Sequence, residues 1–424
     1  MLKFHISQNV VSVDGGEEHI QTLRRLLTLP VANAYFARKY RRGWDGSIKF
    51  FGQQSKRFPY GLWPNVKYYL KKNGIAYKAY TSRESLKSLD NARLGDIKLY
   101  DYQIQAVNSW LKNGGTGVIW GPAGFGKTEI SAAIIKQMLK RKLVSRILFI
   151  VNGLDLLEQA TDRLHLRLGL KIGKISGGGV DLSRIVTVAA IQKLHGLIKN
   201  KDGHVLKFLS EVDLLVIDEV HHGRSDQTSM LIRNCDAKYR LGVSARPLRI
   251  SHEVYETKNL QSMKADDARV LAAMGPIVIR IKPSQLIEIN RLAKPRIYMY
   301  PLNYKEWRQG SSLENMDWQE AKNQLIVKNS VIHSVTKKQV LAAAKAGQAT
   351  LVIAGGSKQL GMNIYRELQD ANLNAVYLHG SINKDFRNKS RIRMTKNRLE
   401  AIVATTIYDE GIDIPNLRQL ILAY

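Results

Sequence analysis

Residues 121–128, Gly-Pro-Ala-Gly-Phe-Gly-Lys-Thr, match the phosphate-binding loop G-x-x-x-x-G-K-[ST] at every required position. The apolar residues 117–120 (GVIW) before the loop predict a strand, and residues 129–139 (EISAAIIKQML) after it predict a helix. A loop in this setting wraps a triphosphate, because its backbone N–H groups and the helix N-terminus both face the anion. The stretch therefore predicts an α/β nucleotide-binding domain.

Five residues of this loop are the candidate ligands of ATP and Mg²⁺. Gly121, Gly124 and Gly126 lie where a Cβ atom would block close approach of the backbone to the phosphates. Lys127 is expected to reach the β- and γ-phosphates, and the Thr128 hydroxyl is expected to bind Mg²⁺.

A second motif, which is acidic, follows another apolar run. Residues 212–217 (VDLLVI) predict a buried strand that ends at Asp218-Glu219-Val220-His221. By itself such a pair of carboxylates is typical of a solvated strand end. Together with the phosphate loop it indicates that Asp218 binds Mg²⁺ and that Glu219 is the base or positioner for the attacking water. His221 is expected to sense the γ-phosphate or to contact the neighbouring domain.

Lysine and arginine outnumber aspartate and glutamate by 65 to 36, which gives this chain of 424 residues a net charge of +29 and a pI near 10.0. This charge favours polyanionic partners, either nucleic acid or an anionic membrane surface. The membrane is disfavoured because we find no basic amphipathic helix, no lipidation signal and no apolar run of about 18 residues. With no signal peptide and a single cysteine, Cys235, we expect a cytoplasmic protein without disulfides.

We predict three domains. Residues 1–90 carry 16 basic residues against 6 acidic ones and mix strand and helix patterns, which predicts a small basic α+β domain that binds DNA. Residues 91–275 and 276–424 each alternate apolar strands with helices, which is typical of doubly wound parallel sheets. The strands predicted for them are 117–120, 146–151, 185–189, 212–217, 239–243, 296–300, 349–354, 374–378, 400–404 and 419–422, with a long helix over 317–346.

The order of further motifs resembles helicase superfamily 2, the DNA and RNA motor ATPases with two tandem RecA-like lobes. Residues 99–103 (LYDYQ) resemble its adenine-binding motif, which implies that Tyr100 stacks on the base and Gln103 bonds its edge. Residues 152–159 and 187–194, which include Gln192, resemble the segments that contact the nucleic-acid strand. Residues 244–247 (SARP) lie at the coupling motif, with Arg246 in place of the usual threonine.

The second lobe carries the same resemblance. Residues 350–357 and 378–380 resemble the next two motifs, and residues 404–406 with 410–415 (EGIDIP) closely match motif V. The resemblance implies that Gly411 and Asp413 bind the nucleotide and that His379 and Thr405 contact nucleic acid. The arginine-finger motif VI is not found, so we expect either that the natural chain continues beyond Tyr424 or that hydrolysis uses another arginine.

The N-terminal residues 41–50 (RRGWDGSIKF) and 59–62 (PYGL) resemble the first domain of phage UvsW-type helicases, which act on branched DNA. Basic side chains beside an aromatic ring fit a junction of duplex and single strand. The candidate DNA contacts are Arg38, Lys39, Arg41, Arg42, Trp44 and Lys49. The alternatives are that the aromatic residues Trp44, Phe50, Phe51, Tyr60 and Trp63 form a core and that the arginines form a solvated face.

The sequence as a whole predicts an ATP- and Mg²⁺-dependent helicase or translocase that acts on branched DNA in recombination, repair and replication. If a phage encodes it, the compartment is the host cytoplasm. The alternatives are an RNA helicase on the same motor, a nucleic-acid-binding protein that uses ATP only as a structural ligand, and the motor subunit of a restriction system, for which no nuclease motif is visible.

Overall fold

A computed structural model of the chain describes residues 1–32, 34, 44–224, 226–301, 317–405, 414 and 417–423. The chain forms two compact units, Met1–Pro295 and Arg296–Tyr424. Among the described residues, no helix is both long enough and apolar enough to cross a membrane.

The first unit begins with a small four-stranded sheet. The strands β1 and β2 are antiparallel, and later strands extend the sheet to the order β5-β2-β1-β6, with β6 parallel to β1. The strands of this region, including the separate pair β3 and β4, are β1 (Leu2–Ile6), β2 (Val10–Asp14), β3 (Thr28–Pro30), β4 (Ser47–Lys49), β5 (Arg57–Pro59) and β6 (Tyr77–Thr81). The helices are Glu17–Leu26 and Trp63–Lys72.

One face of this sheet is apolar because hydrophobic residues alternate with polar ones along β1 and β2. Phe4 packs against the rings of Phe58 and Trp63, at centroid distances of 6.4 and 4.9 Å. Phe51 and Trp63 are buried, so the core interpretation of the N-terminal aromatic residues holds for these two.

The rest of the first unit is an eight-stranded sheet, which a short hairpin, β7 (Arg93–Leu94) and β8 (Ile97–Lys98), precedes. The strands of the eight-stranded sheet are β9 (Thr116–Trp120), β10 (Ile147–Val151), β11 (Ile172–Ser176), β12 (Gly179–Val180), β13 (Val186–Ala190), β14 (Leu214–Asp218), β15 (Tyr239–Ser244) and β16 (Ile277–Arg280). They follow the order β12-β11-β13-β10-β14-β15-β9-β16 and are parallel except for β12.

Helices cover the eight-stranded sheet, so its central strands are buried along their whole length and mostly apolar. They are Asp101–Lys112, Lys127–Lys140, Leu154–Leu168, Ile191–Lys199, Gly203–Ser210, Asp226–Asn234, His252–Glu256, Ala265–Met274 and Pro283–Glu288. This doubly wound arrangement confirms the predicted fold class. Since β16 pairs in parallel with β9, the first unit continues past residue 275, where the sequence placed the lobe boundary, to Pro295.

The second unit holds a four-stranded parallel sheet in the order β18-β19-β17-β20. Its strands are β17 (Ala349–Ile353), β18 (Ala375–Leu378), β19 (Ala401–Ala404) and β20 (Leu417–Leu422). Its longer helices are Ser330–Lys345, Lys358–Asp370 and Lys384–Thr395. The alternation of strand and helix again matches the sequence prediction.

Two predictions for this region are wrong. Residues 296–300 form no strand, because no described strand pairs with them, and Met299 is 88% exposed. The predicted helix over 317–346 is interrupted. A helix at Trp318–Lys322 passes into a π-helix at Asn323–Val327, and a new helix starts after Asn329, whose side chain accepts hydrogen bonds from the Val331 and Ile332 N–H groups.

Candidate nucleotide and nucleic-acid site

The phosphate loop connects β9 to the helix Lys127–Lys140, as predicted. Gly124 and Gly126 adopt φ values of +80° and +84°, a left-handed conformation that side chains with a Cβ rarely adopt. A Cβ on Gly121 would lie 2.7 Å from the buried ring of Phe125. The loop therefore keeps its shape only with glycine at these positions, and Phe125 anchors it in the core.

Lys127 lies at the start of that helix and points toward the acidic motif at the end of β14. Its Nζ atom contacts the carboxylate of Glu219 and lies 4.0 Å from Oδ1 of Asp218. All three side chains are only about one-fifth exposed. The structure thus brings together the two halves of the predicted ATP site, which lie far apart in the sequence.

Thr128 and Asp218 fit a magnesium ion, because hydroxyl and carboxylate oxygens are the ligands that Mg²⁺ prefers. Within the described part of the chain, no group of three or more His, Cys, Asp or Glu side chains is placed to hold a metal ion. A magnesium ion here would therefore complete its coordination with phosphate oxygens and water, as is usual in ATPase sites.

Burial raises the pKa of the Asp218 carboxyl, and the nearby charges of Lys127 and His221 partly oppose this effect. A cation at this position stabilises the ionised carboxylate. The environment of Asp218 therefore favours the binding of a positively charged group.

Glu219 is held in a strained conformation by several hydrogen bonds. Its φ is +49°, which is uncommon outside glycine. Its N–H donates to Oδ1 of Asp218 at 2.9 Å, and its Oε2 accepts from the Ser244 hydroxyl at 3.0 Å. His221 Nδ1 lies 3.3 Å from the same Oε2. These contacts leave the carboxylate with a fixed orientation, which a catalytic base or water-positioning group requires.

Ser244 connects the acidic motif to the predicted coupling motif. Its hydroxyl lies 3.0 Å from His221 Nδ1 and accepts a hydrogen bond from the Arg246 N–H at 3.0 Å. The Arg246 side chain is exposed. The link therefore runs through the serine hydroxyl and the backbone, and it does not need the threonine side chain that Arg246 replaces.

The predicted adenine-binding residues lie beside the phosphate loop. Gln103 is 4% exposed, and its amide donates to the Phe125 carbonyl at 3.2 Å and accepts from the Tyr100 N–H at 3.0 Å. Gln103 thus fastens the loop and retains one donor and one acceptor site. Tyr100 is 39% exposed, and the guanidinium of Arg291, which the sequence analysis missed, lies 3.9 Å from its ring centroid.

Two segments that are predicted to contact the nucleic-acid strand meet at the same edge of the sheet. Asn152 follows β10 and Gln192 follows β13, and these strands are parallel neighbours. The amide of Gln192 donates to Oδ1 of Asn152 at 2.6 Å. Since the carboxyl ends of parallel strands lie together, both segments share the edge that carries Lys127 and Asp218.

In the second unit, the structure describes only some of the predicted site residues. Nδ1 of His379 is buried without a hydrogen-bond partner among the described residues, and its ring lies 5.2 Å from that of Tyr377. The Thr405 N–H donates to the Leu378 carbonyl at 3.1 Å. Gly411 and Asp413 lie outside the described residues.

Among the predicted N-terminal DNA contacts, the structure describes Trp44 and Lys49. The Trp44 indole N–H donates to the Ser47 carbonyl at 2.9 Å, and Lys49 pairs with Asp45 at 2.8 Å. Both contacts join residues that are close together in the sequence, so they stabilise the local conformation of residues 44–49. The remaining candidates, Arg38, Lys39, Arg41 and Arg42, lie outside the described residues.

Two family models match the chain. The model of the type III restriction enzyme res subunit matches residues 96–249, and the helicase conserved C-terminal domain matches residues 331–423. The first match covers the phosphate loop, the acidic motif and Ser244, and the second covers the sheet of the second unit.

Similar proteins include viral and archaeal relatives. "Putative helicase 22" of a Sulfolobus islandicus filamentous virus is 24% identical over 364 residues, which are 80% of this chain and 61% of the relative. The DNA 3'-5' translocase XPB2 of Sulfurisphaera tokodaii is 25% identical over 359 residues, which are 76% of this chain and 73% of the relative. This chain therefore spans less than two thirds of the first relative's length.

The fold is similar to that of the crystal structure of T4 UvsW. The two structures match with a TM-score of 0.53 at 21% sequence identity, over 100% of this chain and 83% of the other.

Proposed function

We propose that the chain is a helicase of superfamily 2, which the two family matches support, and that it is an ATP-dependent DNA helicase or translocase that acts on branched DNA. One observation carries the proposal. The ATP-site residues Lys127, Asp218 and Glu219 lie on the same sheet edge as the bonded pair Asn152 and Gln192. A nucleotide and a nucleic-acid strand bound at one edge can influence each other through the loops between them.

The ATP site supplies positioning and charge. Lys127 neutralises phosphate charge, and Glu219 orients or deprotonates the attacking water. Mg²⁺, when bound at Thr128 and Asp218, neutralises the charge that develops on the phosphates. Hydrolysis drives movement only if the protein holds DNA with different affinity before and after turnover.

DNA is the preferred substrate class in this proposal. The net charge of +29 supports a polyanionic partner, and a relative named as a DNA translocase supports DNA as such a partner. The N-terminal stretch WDGSIK at residues 44–49 supports the branched-DNA class, because it matches the UvsW-type pattern.

A strand-displacement assay tests the proposal. The whole chain with ATP and Mg²⁺ is offered a labelled fork, a tailed linear DNA duplex and an RNA duplex of the same sequence. We expect the fork to be processed fastest and the RNA duplex to remain intact. The variant Lys127→Ala is the control for ATP dependence, and it should bind DNA without separating strands.

Faster separation of the RNA duplex would favour the RNA helicase alternative. Equal rates on fork and linear duplex would reject the specificity for branches. Binding of ATP without turnover on any substrate would favour a structural role for the nucleotide.

A further inference from the structure

The outer face of the N-terminal sheet carries two stacked rings that the ATP site does not use. His5 on β1 lies directly opposite Tyr80 on the parallel neighbour β6. Their ring centroids are 5.3 Å apart, and the ring planes differ by 18°. The His5 side chain is 53% exposed and Tyr80 is 49% exposed. The pair therefore forms a stacked aromatic surface that solvent reaches.

This surface is not needed for the core, which lies on the opposite face. The buried residues of β1 and β2 alternate with the exposed ones, and Phe4 and Val13 point to the inner side. His5 and Tyr80 belong to no buried hydrophobic cluster among the described residues. The stacked rings thus gain little from folding and remain available to a ligand.

Basic side chains surround the rings. Lys3 lies directly opposite Lys78, on the same face and two residues before the ring pair. Like charges in this position repel each other across a sheet. Arg57 on β5 lies opposite Ser12, which in turn lies opposite His5. Asp14 lies opposite Lys3, and its carboxylate lies 3.4 Å from His5 Nε2. This carboxylate balances one of the positive charges on the face.

We propose that this face binds single-stranded nucleic acid, with bases stacked on His5 and Tyr80 and phosphates on Lys3, Lys78 and Arg57. Any base presents a π face to an aromatic ring, and phosphate relieves the repulsion between the two lysines. Paired bases are stacked inside a duplex, so a duplex offers its phosphates but no free base face. The inference rests on the proposed function only in that both require a nucleic-acid partner.

Equilibrium binding of the whole chain without ATP tests this proposal. The probes are a fluorescent oligothymidine, an abasic strand of the same length and a blunt DNA duplex, and the readout is fluorescence anisotropy. Tyr80→Ala should bind oligothymidine about fivefold or more weakly, because one stacked base is lost. Its binding to the abasic strand and to the duplex should stay as in the wild type.

Two variants serve as matched controls. Tyr80→Phe keeps the ring and should bind oligothymidine like the wild type. Tyr68→Ala removes a tyrosine that is 37% exposed on the helix Trp63–Lys72, away from this face, and should change nothing. Far-ultraviolet circular dichroism checks that each variant is folded.

The salt dependence of binding tests the proposed contact between Lys78 and a phosphate. Lys78→Gln should lower the slope of log affinity against log salt for oligothymidine by about 0.7, the value for one phosphate contact on a single strand. An unchanged slope would remove Lys78 from the proposed surface.

Wild-type affinity of folded Tyr80→Ala for oligothymidine would overturn the proposal, as would an equal loss of duplex binding. These results do not depend on ATP turnover. An active helicase with no role for Tyr80 would reject this inference alone, whereas Tyr80-dependent binding by a chain that never hydrolyses ATP would reject the proposed function alone.

Discussion

The two edges of the eight-stranded sheet use polar side chains differently. At the carboxyl edge, Glu219 contacts both the Lys127 ammonium and the Ser244 hydroxyl, and its backbone is strained. At the amino edge, side chains of the N-terminal region donate hydrogen bonds to backbone carbonyls. Gln8 donates to the Gly114 carbonyl at 2.5 Å, and Asn9 donates to the Ala237 carbonyl at 3.0 Å.

This difference indicates that one edge of the sheet serves ligand binding and that the other edge holds the N-terminal region in place. Charged groups clustered at a partly exposed edge are available to a ligand, and strain is typical of functional sites. Carbonyls at the other edge are satisfied by side chains from the N-terminal region, which fixes that region to the sheet. Variants of the first edge should therefore change turnover, and variants of the second should change stability.

The largest expected effect is that of Glu219→Gln. The amide cannot accept a proton from water, so we expect the kcat for ATP to fall by about 10²–10⁴-fold with KM nearly unchanged. Steady-state phosphate release measures both constants. Wild-type turnover in this variant would remove Glu219 from the catalytic role.

Ser244→Ala should have the next largest effect on turnover. It removes one hydrogen bond to the Glu219 carboxylate, which is worth about 1.5–3 kcal/mol. If half or more of that energy orients the carboxylate in the transition state, kcat falls about tenfold. Ser244→Thr keeps the hydroxyl and is the control. Equal rates in both variants would show that the Ser244 bond plays no part in hydrolysis.

At the amino edge, Arg83→Leu should reduce stability rather than turnover. The guanidinium donates to the Gln8 and Asn113 carbonyls and lies 3.7 Å from the Tyr60 ring centroid. Its loss leaves two partly buried carbonyls unpaired, so the free energy of unfolding should fall by about 2 kcal/mol. Urea unfolding measures the loss, and kcat at low temperature should be unchanged.

The exposed Lys67 supplies the matched control for Arg83, and Lys67→Ala should stay within about 0.5 kcal/mol of the wild type. A loss of ATP turnover in folded Arg83→Leu would contradict the separation of the two edges.

Asn9→Ala should give the smallest effect of the series. It removes bonds to the Ala237 and Lys238 carbonyls at 3.0 and 3.2 Å, and the second of these is solvent-exposed. We expect a loss of about 1 kcal/mol in unfolding free energy and no change in kcat. Stability equal to the wild type would show that water replaces these bonds.

The sequence predicts the carboxyl edge well, because each of its motifs follows a buried strand and needs only local residues. The phosphate loop, Asp218 and Glu219 all lie where the pattern of strand and loop indicates. The role of the Ser244 hydroxyl was not predicted, since it depends on a contact across 25 positions of chain. Arg291 lies near Tyr100 through tertiary packing alone, and no local signal marks it.

The predictions that were wrong, and the contacts that were missed, have other causes. Residues 296–300 combine strand-forming side chains, yet a strand exists only where a neighbour completes its hydrogen bonds. The helical pattern over 317–346 contains Asn329, whose side chain caps a new helix and so ends the previous one. The attachment of the N-terminal region to the sheet was also missed, because Gln8, Asn9 and Arg83 donate hydrogen bonds to backbone carbonyls, which carry no sequence signal.

The most direct test of the central claim is the rate of ATP hydrolysis by the whole chain, measured with and without forked DNA, for the wild type and for Lys127→Ala. We predict that DNA accelerates the wild type and that the variant stays inactive under both conditions. Turnover by Lys127→Ala equal to the wild type, or a wild type that hydrolyses no ATP with any polynucleotide, would contradict the account.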